Sequence, residues 1–178
     1  MERAPRCSCS LQARVLILGL LMTLLTPAAW AQILTGRVVG VTDGDTITVL
    51  DDRRVQHKIR LAGIDAPEKS QAFGQRSKTF LSSLVFSKPV VVETQKTDRY
   101  GRTVGKVLVG DRDANLALVV AGLAWHYKKY ETEQSASDRM IYASAEQDAR
   151  AARQGLWADP SALPPWEWRA QKRSKSEH

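Results

Sequence analysis

Cysteine is nearly absent from this chain, and where it occurs it is placed to do little. The two cysteines, Cys7 and Cys9, both precede an apolar run from Val15 to Leu25. That run follows Arg3, Arg6 and Arg14 and leads to Ala29-Trp30-Ala31, the charge, apolar core and small-residue pattern of a secretory signal. Cleavage after Ala31 would leave no thiol, which excludes thiolate–zinc sites, thiol catalysis and disulfides, so packing alone must hold the fold. Histidine is also scarce. His57, His126 and His178 are the three present, and none has H-E-x-x-H spacing. There is no Walker-type loop, and Asp43-Gly44-Asp45 does not continue into an EF-hand. Long apolar runs are missing too, since the eleven residues from Val15 to Leu25 are short for a bilayer span.

What is plentiful is charge. The chain carries 26 Lys and Arg against 19 Asp and Glu, a formal net charge of +7. Loss of three arginines and Glu2 with the leader would leave +5. Such a balance suits a polyanionic partner and equally serves solubility. The expected organisation is a signal peptide over 1–31, one domain over 32–158 and a Pro/Trp-rich, then basic, tail over 159–178. The expected destination is secreted or periplasmic, without stable membrane association after cleavage, as a monomer.

The densest chemistry lies in Arg60-Leu61-Ala62-Gly63-Ile64-Asp65-Ala66-Pro67-Glu68. An apolar strand there enters a turn that presents an arginine and two carboxylates. Guanidinium can clamp a phosphate by two parallel bonds, Asp65 can ligate a hard cation, and Glu68 can accept a proton from water. Pro67 stiffens the turn and disfavours helix at Ala66. Upstream, Ile33–Thr42 is a β-branched strand candidate that meets Asp43-Gly44 before Thr46–Leu50, a hairpin signal. Asp45 shares strand parity with Ile47 and Val49, and a carboxylate on a core face needs a cation or donors. Val55–Ile64 reads as the third strand, with Val55, Ile59 and Leu61 on one face and Asp65 continuing that parity. Arg60 has the opposite parity and reaches the same mouth only if the strand bends. His57 reads as an ordinary strand residue.

Further on, Phe73, Phe80, Leu81, Leu84 and Val85 recur at helical spacing between Gln71 and Phe86. Strands are expected from Val90 and over Val104–Val109, joined through a basic turn at Thr97–Arg102. Asp113 can cap a short helix over Ala114–Ala121 that ends at Gly122. Trp125-His126-Tyr127-Lys128-Lys129-Tyr130 suits either bases and phosphates or a packed amphipathic loop. Ser135 and Asp138 resemble a capping box for a helix running to Gln154 and closed at Gly155. The tail from Asp159 turns basic from Arg169, and its last residues are expected to be disordered.

Three runs, Asp43-Gly44-Asp45-Thr46, Arg60–Glu68 and Thr97-Asp98-Arg99-Tyr100-Gly101-Arg102, stand in the order and separation that resemble the staphylococcal-nuclease (thermonuclease) family. The resemblance spans about Ile33 to Trp157. It implies an α+β, mainly β fold, an OB-fold barrel of five strands with about three helices. It also implies a calcium-dependent endonuclease that acts on DNA and RNA and leaves 3′-phosphate ends. By position, Asp45 and Asp65 match the metal-ligating carboxylates. Ala66 stands where the founding member has a threonine whose main-chain carbonyl contributes to the metal. Glu68 matches the general base, Arg60 and Arg102 match the phosphate-binding pair, and Tyr100 and Tyr127 match nucleotide-pocket tyrosines. Two carboxylates and a carbonyl do not by themselves separate Ca²⁺ from Mg²⁺, so calcium rests on the resemblance. The segment between Glu68 and the first helix is shorter than in the founding member, which implies a more open groove. Two other readings stay on the table. One is a catalytically silent OB-fold module that only binds nucleic acid, which would need no acid cluster. The other is a cell-envelope interaction domain using the Trp-rich tail.

Overall fold

The computed structural model describes residues 32–176, so the signal-peptide reading of residues 1–31 lies outside the described residues. The chain runs β1 (Gln32–Val41), β2 (Thr46–Leu50), β3 (Gln56–Leu61), β4 (Ile64–Asp65), α1 (Gly74–Val85), β5 (Pro89–Thr97) and β6 (Thr103–Val109). It continues through β7 (Arg112–Asp113), α2 (Ala114–Val120), β8 (Trp125–His126), α3 (Ala136–Ala151) and α4 (Pro165–Ser176). Short 3₁₀ segments precede and follow α3.

Strands lie in the order β3-β2-β1-β5-β6, and a parallel pairing of β3 with β6 closes them into a five-stranded barrel. β1 serves two neighbours, pairing with β5 along its first half and β2 along its second. Its register slips between Val38 and Gly40, the kind of bulge that bends a strand around a barrel. The inward residues are those the alternation marks: Ile47, Val49, Ile59, Val92 and Val107 are wholly buried. Each contributes roughly 1.5–3 kcal/mol by leaving water. Leu81 and Val85 of α1 and Leu118 and Val119 of α2 seal the ends of that core. Among the described residues, no helix is long and apolar enough to cross a membrane.

Local signals place the helices. Asp113 accepts from the Leu116 amide at 2.9 Å, and Ser135 Oγ accepts from the Asp138 amide at 3.0 Å. α3 stops at Ala151, short of the expected Gln154, where Arg153 takes a positive φ of 50° and turns the chain.

Two expectations need correction. Val55 is 49 % exposed, because β3 begins only at Gln56 and Val55 closes the preceding turn. The basic tail is helical as far as Ser176, where α4 ends, making four helices among the described residues, and the last two residues lie outside them. Pro165 occupies the first helical position, where its missing N–H costs nothing. Trp166 then anchors the helix against the small cluster of Trp125, Ala149, Leu156 and Trp157.

Candidate active site

β3 does not run on to Ile64 as expected. It ends at Leu61, turns through Gly63 with φ of +71°, and restarts as the two-residue β4. The turn is pinned from behind by Asn115, wholly buried, whose Nδ2 donates to Ala62 O at 2.9 Å while its Oδ1 accepts from the Val107 amide at 3.1 Å. β4 then pairs with β8, Ile64 opposite His126 and Asp65 opposite Trp125. Asp65 is therefore delivered by a fixed turn and is wholly buried.

Asp45 arrives from the other side, at the end of the loop before β2. Gly44 makes this possible by close approach, since a Cβ there would sit 2.1 Å from Ser77 Oγ and 2.7 Å from Ala66 Cβ. The Asp45 carboxylate, 7 % exposed as a residue, accepts from the Ala66 amide at 3.0 Å and from Thr46 Oγ1 at 3.0 Å. Glu68 is held by a tight loop in which the Gln71 amide donates to Glu68 O at 2.8 Å and Gln71 Oε1 accepts from the Glu68 amide at 3.2 Å. Gly74 completes that loop, because a Cβ at this position would lie 1.9 Å from Glu68 O.

Arg60 does reach the mouth despite its parity. The end of β3 turns there, and its guanidinium lies 2.9 Å from Asp65 Oδ1 and 3.1 Å from Asp45 Oδ2. A second guanidinium, unanticipated from the sequence, meets the same acids. Arg169 of α4 donates to Asp65 Oδ2 at 2.7 Å, Asp65 Oδ1 at 3.3 Å and Glu68 Oε1 at 2.8 Å. Burial pushes the Asp65 carboxyl up, while the bond from Arg169 and the charge of Arg60 pull it down; the net direction is upward. Burial would lower Arg169, but its bonds to Asp65 and Glu68 hold it above the usual arginine range. Burial, followed by the neighbouring Asp45 charge, raises Asp43 to about 6.

These groups line one open cleft of about 690 Å³, together with Arg102, Tyr100, Tyr127, Lys129 and Tyr130. Arg102, just before β6, also lines the cleft, held by Asp98 through Nε at 2.8 Å and Nη2 at 2.7 Å. Tyr100 is 68 % exposed beside the Arg99 and Arg102 guanidiniums. Tyr127 enters through a bond from its amide to Gly63 O at 2.9 Å, and the Trp166 indole stacks on its ring at 5.3 Å. Burial and the Asp65 charge raise the Tyr127 phenol above its usual range. The Trp125–Tyr130 segment thus serves both readings. Trp125 and His126 are core residues, Lys128 pairs with Glu146, and Tyr127, Lys129 and Tyr130 face the cleft. His57 is a strand residue bonded to Asp51 at 2.8 Å.

α4 borders the groove beside Glu68, where Gln71 Nε2 donates to Leu163 O at 2.5 Å just before that helix begins. Trp166, Arg169 and Arg173 all reach the cleft, and their spacing of three and four residues was the sequence signal available for this face. Among the described residues, no three His, Cys, Asp or Glu side chains gather in the geometry of a metal centre. Asp45 and Asp65 nevertheless offer carboxylate oxygens that already attract two guanidiniums, a donor set that fits a hard cation completed by water and backbone oxygen.

A closed five-stranded OB-type barrel with paired acids and arginines at its mouth defines a phosphodiester-handling class of protein. Residues 58–159 match the family model described as staphylococcal nuclease homologue, and the chain belongs to that family. It is similar to Protein ParB of Escherichia coli, 44 % identical over 83 % of this chain and 85 % of that one. It is also similar to an uncharacterized endonuclease of Haemophilus influenzae, 45 % identical over 78 % of this chain and 75 % of that protein. Micrococcal nuclease of Shigella flexneri is 43 % identical over 79 % of this chain and 83 % of its own length. Asp45 and α4 both lie outside the matched segment.

Proposed function

We propose that this nuclease is a calcium-dependent endonuclease that hydrolyses DNA and RNA and leaves 3′-phosphate ends. The observation that carries the reading is the convergence of Glu68, Asp65, Asp45, Arg60 and Arg102 on one cleft. Asp45 and Asp65, with the Ala66 carbonyl, would hold the calcium ion. When bound, the ion would add positive charge where phosphoryl oxygens become more negative. Glu68 takes a proton from the attacking water, a role worth about 10²–10⁴ in rate. Arg60 and Arg102 hold the phosphate and stabilise its growing charge, each worth about 10²–10³. Tyr100 and Tyr127 contact the nucleotide flanking the cut. A silent binding module would need the basic rim but not a proton acceptor beside buried acids.

Digestion of plasmid and single-stranded DNA with Ca²⁺, with Mg²⁺ and with chelator tests the reading, with the new ends assayed for 3′-phosphate. Cleavage only with a divalent ion, calcium preferred, is expected, and full activity in chelator after metal stripping contradicts it. The reading includes export as a monomer to the periplasm or medium, with cleavage between Ala31 and Gln32. N-terminal sequencing and sedimentation of the exported protein check that part.

A further inference from the structure

α4 lies beyond the segment matched to the family, yet it places a guanidinium on the two acids the reaction needs. Arg169 bonds both oxygens of Asp65 and one of Glu68. The Asp65 carboxylate thereby accepts from two arginines, since Oδ1 also receives Arg60. The two arginines differ in freedom: the Arg60 side chain is 14 % exposed and Arg169 is 39 % exposed. The helix beneath Arg169 is firmly rooted. Trp166 stacks on Tyr127, meets Trp125 edge-on at 6.4 Å, and Gln71 ties Leu163 to the Glu68 loop. A rooted helix with a long, part-exposed side chain can release its guanidinium without undocking.

We propose that Arg169 is a tethered cation that holds Asp65 and Glu68 in the resting site, so that a divalent ion must displace it to load. The inference rests on the reading of Asp65 as a metal ligand and Glu68 as the base. Asp65 already holds two guanidiniums, so a divalent ion would be a third cation on it, and it and the more exposed Arg169 would weaken each other's hold. While paired, the Glu68 carboxylate has Oε1 engaged by Arg169, which fixes where the base stands until the cation arrives. Arg173, one turn further along the same face, lines the cleft and offers a displaced guanidinium company beside a polyanion rather than a new acid partner. Arg169 is thus a positioning residue that sets the threshold for metal loading.

The test is calorimetric titration of Ca²⁺ into the purified parent, Arg169→Gln, Arg169→Lys and Asp65→Asn, without nucleic acid. Removing one positive charge about 5 Å from a divalent ion in a solvated cleft is worth on the order of tenfold in affinity. Arg169→Gln should therefore bind Ca²⁺ about tenfold more tightly than the parent, and its melting temperature should rise more on adding Ca²⁺. Arg169→Lys keeps the charge and should stay within about threefold of the parent. A purely structural role for Arg169 leaves affinity unchanged or lowered in Arg169→Gln, and that result overturns the proposal. So does a lysine variant that binds as tightly as the glutamine one. Asp65→Asn separates the two layers of the argument. If it loses Ca²⁺ while Arg169→Gln matches the parent, the metal site stands and the tethered cation falls. If neither parent nor Arg169→Gln binds Ca²⁺, both readings fall.

Discussion

Two arginines meet Asp65, one five residues before it and one 104 residues after, and they are held in different ways. Arg60 belongs to the barrel, is largely buried, and spans Asp45 and Asp65. Arg169 belongs to a helix added after the matched segment and stands nearly three times as exposed. The first is fixed by strand pairing and core burial on both sides of it. The second is fixed by an aromatic anchor and by the acids themselves. A charge that the scaffold holds can organise a site permanently, whereas a charge that only its partners hold can be exchanged for another cation.

The largest effect should come from removing the residue both arginines share. Asp65→Asn keeps the shape but removes the charge both arginines share, leaving Arg60 on Asp45 and Arg169 on Glu68, and removes a metal ligand, so single-turnover cleavage should fall by about 10³. A drop under tenfold would mean that Asp65 is not central. Next comes the contrast itself, read as stability in urea unfolding. Arg60→Gln leaves two buried carboxylates without their scaffold cation and should cost about 3 kcal/mol. Arg169→Gln should cost about 1 kcal/mol or less, since its side chain is partly solvated. Equal costs would erase the distinction drawn between them.

Arg102→Ala moves the comparison to an arginine held by Asp98. Cleavage should slow, strand binding should weaken, and the slope of log affinity against log salt should flatten by about one phosphate contact. Unchanged salt dependence would remove Arg102 from the phosphate path. The smallest effect concerns Asp43, whose carboxyl is raised to about 6 by burial and then by Asp45. A folded value above the unfolded one contributes stability below pH ~4 that is lost as pH rises through ~6. Asp43→Asn should therefore be more stable than the parent at pH 8 in chelator, by on the order of 1 kcal/mol after solvent screening, and no different at pH 4. A gain of equal size at both pH values would assign the effect to packing instead.

The barrel was legible because its strands obey period two: Ile47, Val49, Ile59 and Leu61 fall inside as alternation requires. So were Asp45 as a core-facing acid and the caps at Asp113 and Ser135, whose side chains bond the amides that helix starts leave free. Parity failed where the chain leaves the strand. Asp65 reaches the mouth through the Gly63 turn and a separate pairing with β8, and Arg60 arrives because β3 ends just after it. Asn115, which holds the turn, and Gln71, which ties the Glu68 loop to Leu163, gave no signal because those bonds are to distant backbone atoms. The tail misled for a related reason. Its composition is that of a solvated segment, and what orders it is docking of Trp166 and Arg169 onto surfaces made elsewhere.

The central claim is that Glu68 takes the proton from water beside Asp65, and one paired measurement addresses it. Single-turnover cleavage and binding of the same single-stranded oligonucleotide are followed in Ca²⁺ for the parent and Glu68→Gln. Cleavage should fall by about 10²–10⁴, with binding within about twofold, because the variant loses a proton acceptor and no phosphate contact. A Glu68→Gln protein that cleaves at the parent's rate would show that the base lies elsewhere.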